Sequence, residues 1–257
     1  VLEAWGKLEK DQGIMKKDEE ITSRLIDLEN DVRYQEAASE TEPEYLYIAG
    51  KLPILISAPH GAVHTRDGKP KEEDEYTAGF AQLLGQITNS HILYSRRKSA
   101  TDPNADPEAP YKKYLQEIIS KNKVRFVIDL HGANENRTFG IALGTLHGES
   151  CTEAELQIII KAFEDFGFST DKSGLFRLDI DNELPAVGDK KRVPITRFLH
   201  ELCISAAQIE LNAHLRIPIR REDATNSNVP FEGNKEMIGK AFSALSAMIL
   251  SFEKHYS

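Results

Sequence analysis

Residues 124–132 read VRFVIDLHG, an apolar run that closes on Asp129, His131 and Gly132. Its apolar positions are nearly continuous rather than alternating, which is the pattern of a strand covered on both faces. Upstream, LPILISAPHG (52–61) repeats the design and ends at His60. Downstream, ISAAQIELN (204–212) ends in Gln208, Glu210 and Asn212. The segments between them have helical spacing: residues 74–88, YKKYLQEIISKN (111–122), TEAELQIIIKAFEDFG (152–167) and VPITRFLHEL (193–202), whose Pro194 suits a first turn. HILYS (91–95) and TFGIALGTL (138–146) read as further strands, and a last helix is expected from about Asn234 to Lys254. YLYIAG (45–50) and the following LPILISAPHG suggest two adjacent strands, the second apolar enough to be central. Alternation of this kind predicts an α/β domain with a mixed, largely parallel sheet and helices on its faces.

Around this domain, residues 1–43 form a highly charged arm and linker. Ile14, Ile21, Leu25, Leu28 and Val32 give it one apolar helical stripe, and Gln35 to Pro43 is polar. The stripe either packs on its own domain or meets another chain as a homo-oligomer contact. Residues 44–257 are then expected to form the main domain.

A net charge of −9 over 257 residues, with 40% hydrophobic and 28% charged side chains, is that of an ordinary folded chain. It argues against a general affinity for nucleic acid, which needs a positive surface. No run is long and apolar enough for a membrane span. The two cysteines, Cys151 and Cys203, fit neither a zinc ribbon nor a CxxC pair and are expected to be buried free thiols. With no secretory pattern at the start, a cytoplasmic location is expected.

Three apolar strands thus end in polar clusters, and ligands of open α/β sheets bind at such strand ends. Asp129 and His131 are two apart and leave one face of a strand, so Asp129 can orient the imidazole from behind. Two histidines and one carboxylate form the usual catalytic zinc set. The run EEDEYT (72–77) offers four candidate acids after His60. His64, four residues beyond His60, is a weaker candidate, and His147 and His214 read as lining or surface residues. Thr65 to Pro70 has turn composition and forms a mobile loop or a lid. Ser57 and Ser150 lack the context of a nucleophile elbow.

Taken in order, SAPHG (57–61), RKSATDPN (97–104), IDLHG (128–132) and QIELN (208–212) resemble the N-formylglutamate amidohydrolase family. More distantly they resemble aspartoacylases and zinc carboxypeptidases. The resemblance spans about Leu55 to Arg216. It implies a zinc-peptidase-like (phosphorylase/hydrolase-like) three-layer α/β/α fold that hydrolyses an amide of a small N-acyl amino acid with one Zn2+ ion, or another divalent metal. His60 and His131 would be ligands and Glu210 the general base and proton donor. Val63 stands where the superfamily often has its acid, so the third ligand falls later, at Asp74 by preference or at Glu75. Arg97, Asp102 and Asn104 match an Arg/Asp/Asn spacing of the aspartoacylase-like branch, with Ala105 in place of its second arginine. Arg97 would steady the developing oxyanion. Arg96, Arg137, Arg216 and Asn212 are the further candidates for holding a small-molecule substrate. A peptidase acting on longer substrates and a non-catalytic binding domain that keeps the fold are the alternatives.

Overall fold

Strand β6 (Phe126–Ala133) is the central member of a seven-stranded sheet of order β1-β5-β2-β6-β9-β7-β8. In this computed structural model, which describes residues 17–257, β1 is Tyr45–Ile48, β2 Ile54–Ala58, β5 His91–Ser95, β7 Phe139–Gly144, β8 Gly174–Ile180 and β9 Ser205–Asn212. The four middle strands β5, β2, β6 and β9 run parallel, β1 and β7 are antiparallel to their inner neighbours, and β8 is parallel to β7. The sheet is therefore mixed and largely parallel. β2 is central, but β1 is not beside it: β5 comes between them, against the expectation of two adjacent strands. β8 was not anticipated, because its GLFRLDI is partly exposed and lacks a continuous apolar run.

Helices cover both faces. Helix α1 (residues 17–29), α2 (Thr77–Thr88), α4 (Glu153–Glu164) and α6 (Lys235–Tyr256) share one core with Ile54, Ile56, Ile128, Leu130 and Ile209. On the opposite face α3 (Pro110–Asn122) and α5 (Ile195–Glu201) pack on Leu55, Leu93, Val127 and Ala206. The even and odd positions of β2 and β6 go to different layers, as the two-residue period requires.

The same period positions the chemistry. On the face of Val127 come Asp129 and then His131; on that of Ala206 come Gln208, Glu210 and Asn212. Their register pairs Asp129 with Gln208 and His131 with Glu210. This face is apolar under α3 and α5 and becomes polar at the carboxyl ends of the strands.

Ile21, Leu25, Val32 and Tyr34 are buried in the main core, so the described part of the apolar stripe is covered by its own domain. Ile14 and the rest of residues 1–16 lie outside the described residues. Thr65 to Pro70 closes a two-stranded hairpin, β3 (His64–Arg66) with β4 (Lys69–Lys71), through Asp67 and Gly68, both at positive φ as a tight two-residue hairpin turn requires. Cys151 is buried, whereas Cys203 is exposed, contrary to expectation; both are free thiols. Among the described residues no helix is long and apolar enough to cross a membrane.

α2 begins without a side-chain cap of its own, on a Tyr76 at φ 65. Glu29 of α1 caps it from outside. Its fully buried carboxylate accepts hydrogen bonds from Tyr76 N (2.9 Å), Gly79 N (2.6 Å) and the Tyr34 hydroxyl (2.7 Å). Burial pushes its pKa up to about 7, the hydrogen bonds opposing only part of that shift. The folded chain therefore holds this proton more tightly than the unfolded chain, and stability falls as pH rises from about 4.5 through about 7. Glu29→Gln removes that titration. Across this window, urea unfolding of the native protein should lose on the order of 3 kcal/mol that the variant does not lose. Parallel pH profiles would show the mechanism to be wrong.

Candidate metal centre

His60 lies just beyond the end of β2, followed by Gly61, where a Cβ would come within 2.6 Å of the Ser95 carbonyl oxygen. Close approach to the neighbouring strand thus requires glycine at this turn. His131 stands near the end of β6. The chain after β4 returns to them at Asp74, whose backbone N–H donates to His60 O at 2.8 Å. One carboxylate oxygen of Asp74, Oδ2, then lies 3.4 Å from His60 Nδ1 and 3.2 Å from His131 Nδ1. The two rings meet edge to face, with centroids 4.8 Å apart and planes at 71°.

Behind each imidazole stands another carboxylate. Asp102 Oδ1 is 3.0 Å from His60 Nε2, and Asp129 Oδ2 is 3.2 Å from His131 Nε2. An acid on Nε2 fixes the ring and leaves Nδ1 to face the centre. Burial alone would lower the pKa of both imidazoles. The surrounding acids prevail: Asp102 and Asp74 raise His60, and Asp129 with Asp74 raises His131 well above its ordinary value. Burial opposes ionisation of Asp74 and Asp102 in turn, but the imidazoles beside them hold both well below the usual carboxylate range.

The donor set fits zinc. Four ligands at about 2.0–2.1 Å in a tetrahedron are roughly 3.3–3.4 Å apart, and the two Nδ1-to-Oδ2 separations are 3.4 and 3.2 Å. The set of two nitrogens and one oxygen leaves a fourth position open. Distance alone also groups His60, His64 and Asp102. There, however, the His60 and His64 rings are stacked, with centroids 3.9 Å apart and planes at 2°.

Among the four acids of residues 72–75, partners separate Asp74 from the rest. Glu72 accepts from Asn226 Nδ2, and Glu73 from both the amide and the hydroxyl of Thr225. Glu75 is buried against Arg220 at 2.8 Å, and its carbonyl accepts from Arg216. Only Asp74 turns toward the histidines.

Glu210, half-buried on β9 beside His131 in register, accepts from Gln208 Nε2 at 3.1 Å. Burial raises its pKa, with His131 pulling the other way and Asp74 adding to the rise. The arginines expected at the substrate are engaged elsewhere. Arg97 is gripped by Glu36 and Glu42, and Arg96 by Asp31. Arg137 pairs with Glu183 at the surface, and the buried Arg216 donates to the carbonyls of Leu211, Glu75 and Ala133. Nor do Asn104 and Asn212 face a substrate: Asn104 accepts from Ile195 N, and Asn212 donates to Phe139 O and accepts from His214 N. Asp102 belongs behind His60 rather than on a substrate. Sequence reasoning passed over Arg66, whose Nε donates to Asp102. Its position six residues after His60 in a turn-rich segment was the available signal.

No family model and no curated protein matches the chain in sequence. Solved structures do match in shape. An N-formylglutamate amidohydrolase from Ralstonia eutropha JMP134 superposes with a TM-score of 0.54 at 13% identity, covering 82% of this chain and 97% of that one. A gene product of Agrobacterium tumefaciens gives 0.54 at 13% identity, over 85% of this chain and 99% of that one. A metallo-carboxypeptidase from Pseudomonas aeruginosa gives 0.47 at 14% identity, over 90% of this chain and 68% of that one. The fold is a mixed, largely parallel α/β arrangement shared with these first two structures. In particular it is the arrangement of the N-formylglutamate amidohydrolase, whose length this chain matches almost throughout.

Asp74 and Glu75 are adjacent in sequence but opposite in surroundings. Asp74→Asn should weaken zinc binding by about 100-fold or more in equilibrium dialysis. Glu75→Gln should leave zinc affinity within a few-fold of native yet destabilise the protein by about 3 kcal/mol, because it strands a buried Arg220. The reverse pattern would move the third ligand to Glu75.

Proposed function

We propose that the chain is a zinc-dependent hydrolase that cleaves the amide bond of a small N-acyl amino acid or a similar compound. The observation that carries this reading is the convergence of His60 Nδ1, His131 Nδ1 and Asp74 Oδ2 at ligand-to-ligand distances, with an acid behind each ring. Its agreement in shape with an N-formylglutamate amidohydrolase supports the same class.

His60, Asp74 and His131 would hold the ion. When bound, zinc supplies Lewis acidity to a carbonyl oxygen and brings the pKa of a water toward neutrality. Asp102 hydrogen-bonds Nε2 of His60 and the Asp129 carboxylate faces Nε2 of His131 at 3.2 Å, leaving each Nδ1 for the ion. Glu210 takes the proton of the attacking water onto a carboxylate oxygen and then delivers it to the departing amide nitrogen. Its raised pKa suits both steps, since a group that must accept and then return a proton works best near the operating pH. The hydrogen bond from Gln208 fixes Oε1 and leaves Oε2 for that traffic. One open cavity of about 370 Å³, lined by His60, His64 and Asp74 among others, is large enough for a small acyl amino acid.

The test is a panel of formyl, acetyl and succinyl amino acids set against short peptides, run with native protein and with Glu210→Gln. The variant should bind zinc as the native protein does while its turnover drops by about 10²–10⁴-fold. Chelation should abolish native activity and zinc should restore it. Full activity of Glu210→Gln on the preferred substrate would remove Glu210 from its role, and preferential cleavage of peptides would shift the substrate class.

A further inference from the structure

We infer that Cys151 and Cys203 are a redox pair that closes to a disulfide when the folded chain meets a small disulfide compound, Cys203 reacting first and Cys151 second. Neither thiol has a place in the metal-centre reading, which stands or falls without them. β6 and β9 carry His131 and Glu210 toward their carboxyl ends, whereas both cysteines lie at the opposite end of the sheet, beside the start of β9 at Ser205. The chain leaving β7 comes back to that end: Ala206 N donates to Ser150 O at 2.9 Å, and Ser150 Oγ donates to Ala206 O at 2.7 Å. Cys151, next in the chain, is thereby set against the turn that leads from α5 into β9. There the two cysteines and His200 line one open cavity of about 220 Å³. Both thiols are free, Cys151 buried and Cys203 exposed.

The backbone at Cys203 shows that a side chain is kept there against local preference. α5 ends in a turn in which Cys203 N donates to His200 O at 2.9 Å and Ile204 N to Leu199 O at 3.0 Å. This closure puts the residue after Leu202 in the left-handed region, where glycine is ordinarily found. Here that residue is Cys203, at φ 59. A β-carbon is unfavourable in that conformation, and strain of this kind marks positions held for use. At Cys151 burial, with Glu155, Asp181 and Glu153 adding to it, pushes the thiol up to about 12, so it stays protonated and is not the first nucleophile. An exposed thiol sharing one cavity with a buried one suits an attacking and a resolving cysteine. Cys203, its proton lost to solvent, attacks one sulfur of the small disulfide, forming a mixed disulfide and releasing one thiolate. Cys151 then gives its proton to His200 and attacks Cys203 Sγ, forming the Cys151–Cys203 bond and releasing the second thiolate. Two electrons thereby pass from the pair to the small disulfide, which leaves as two thiols carrying the protons the cysteines lost.

The test incubates the folded native chain with oxidised glutathione and reads its mass, thiol count and proteolytic peptides under denaturing, non-reducing conditions. The native chain should lose both thiols and the mass of two hydrogens, give a peptide joining Cys151 to Cys203, and recover both thiols in dithiothreitol. Cys151→Ala should stop as a mixed disulfide carrying one glutathione, and Cys203→Ser should stay unmodified. Melting temperatures of the reduced variants close to native establish that they are folded. Because the new bond closes a loop of roughly fifty residues, oxidised native protein should melt several degrees higher than reduced protein. The inference is overturned if the native chain keeps its thiols, stops at the mixed disulfide, or links through Cys203 to a second chain. It is also overturned if Cys203→Ser reacts as readily as native, which puts the first attack on Cys151, or if the oxidised protein melts lower, which means that the thiols meet only when α5 is displaced.

Discussion

Asp74 Oδ2 stands within 3.4 Å of one imidazole nitrogen and 3.2 Å of another, and the architecture around it serves to keep it there. A carboxylate taken out of water is unfavourable by several kcal/mol unless positive charge or donors replace the lost hydration. Here Asp74, Asp102 and Asp129 surround two imidazoles at hydrogen-bond distances or little more, so positive charge has to reside among them. Hydrophobic packing cannot satisfy such a cluster. A divalent cation at the Nδ1 side can, and the acids at the Nε2 side make both rings better donors to it.

Holding an acid at that point places demands on chain well outside the strands. Residues 72–76 are fixed by Asn226, Thr225, Arg220 and Arg216 on one side and by Glu29 on the other. Tyr76 adopts a left-handed conformation unusual for a bulky residue, a local strain that persists only because surrounding contacts over-determine it. Glu29 takes its amide, and the Tyr76 hydroxyl donates to Ile219 O. The helix formed by residues 17–29 is therefore part of the support for the centre, although it lies before the stretch in which the motifs fall.

This division explains what could be read from the chain beforehand. Strand ends and the faces of Asp129, His131 and Glu210 were legible because a period of two is a local property that tertiary packing cannot change. The choice between Asp74, preferred in sequence, and Glu75 stayed open there, because what separates their surroundings is an arginine 145 residues from Glu75, and what engages Glu73 is a threonine 152 residues away. The partners of the arginines were hidden for the same reason. Arg97 matched a motif spacing, yet Glu36 and Glu42 from the N-terminal segment neutralise it. Conversely, Asp-Gly at 67–68 is a strong local hairpin signal, and its two residues at positive φ close the turn. The strand β8 shows the limit of apolar patterning: at the sheet edge it pairs through its backbone while burying only Leu178 and Asp179.

His64 shows why proximity of ligand types is a weaker criterion than direction. Its Nε2 is 3.6 Å from Asp102 Oδ2, and neither ring nitrogen has a hydrogen-bond partner among the described residues, so by distance it competes with His131 for His60. An imidazole lone pair lies in the plane of its ring. Parallel rings with centroids 3.9 Å apart hold those planes far enough from each other that an ion about 2.0–2.1 Å from both nitrogens would sit well outside at least one plane. His60 and His131, with planes at 71°, have no such conflict. Burial and the neighbouring His60 press the His64 pKa down to about 3, so the ring is neutral and covers the face of His60 as a flat apolar surface. Ring orientation thus favours His131 over His64 as the partner of His60 in the candidate centre.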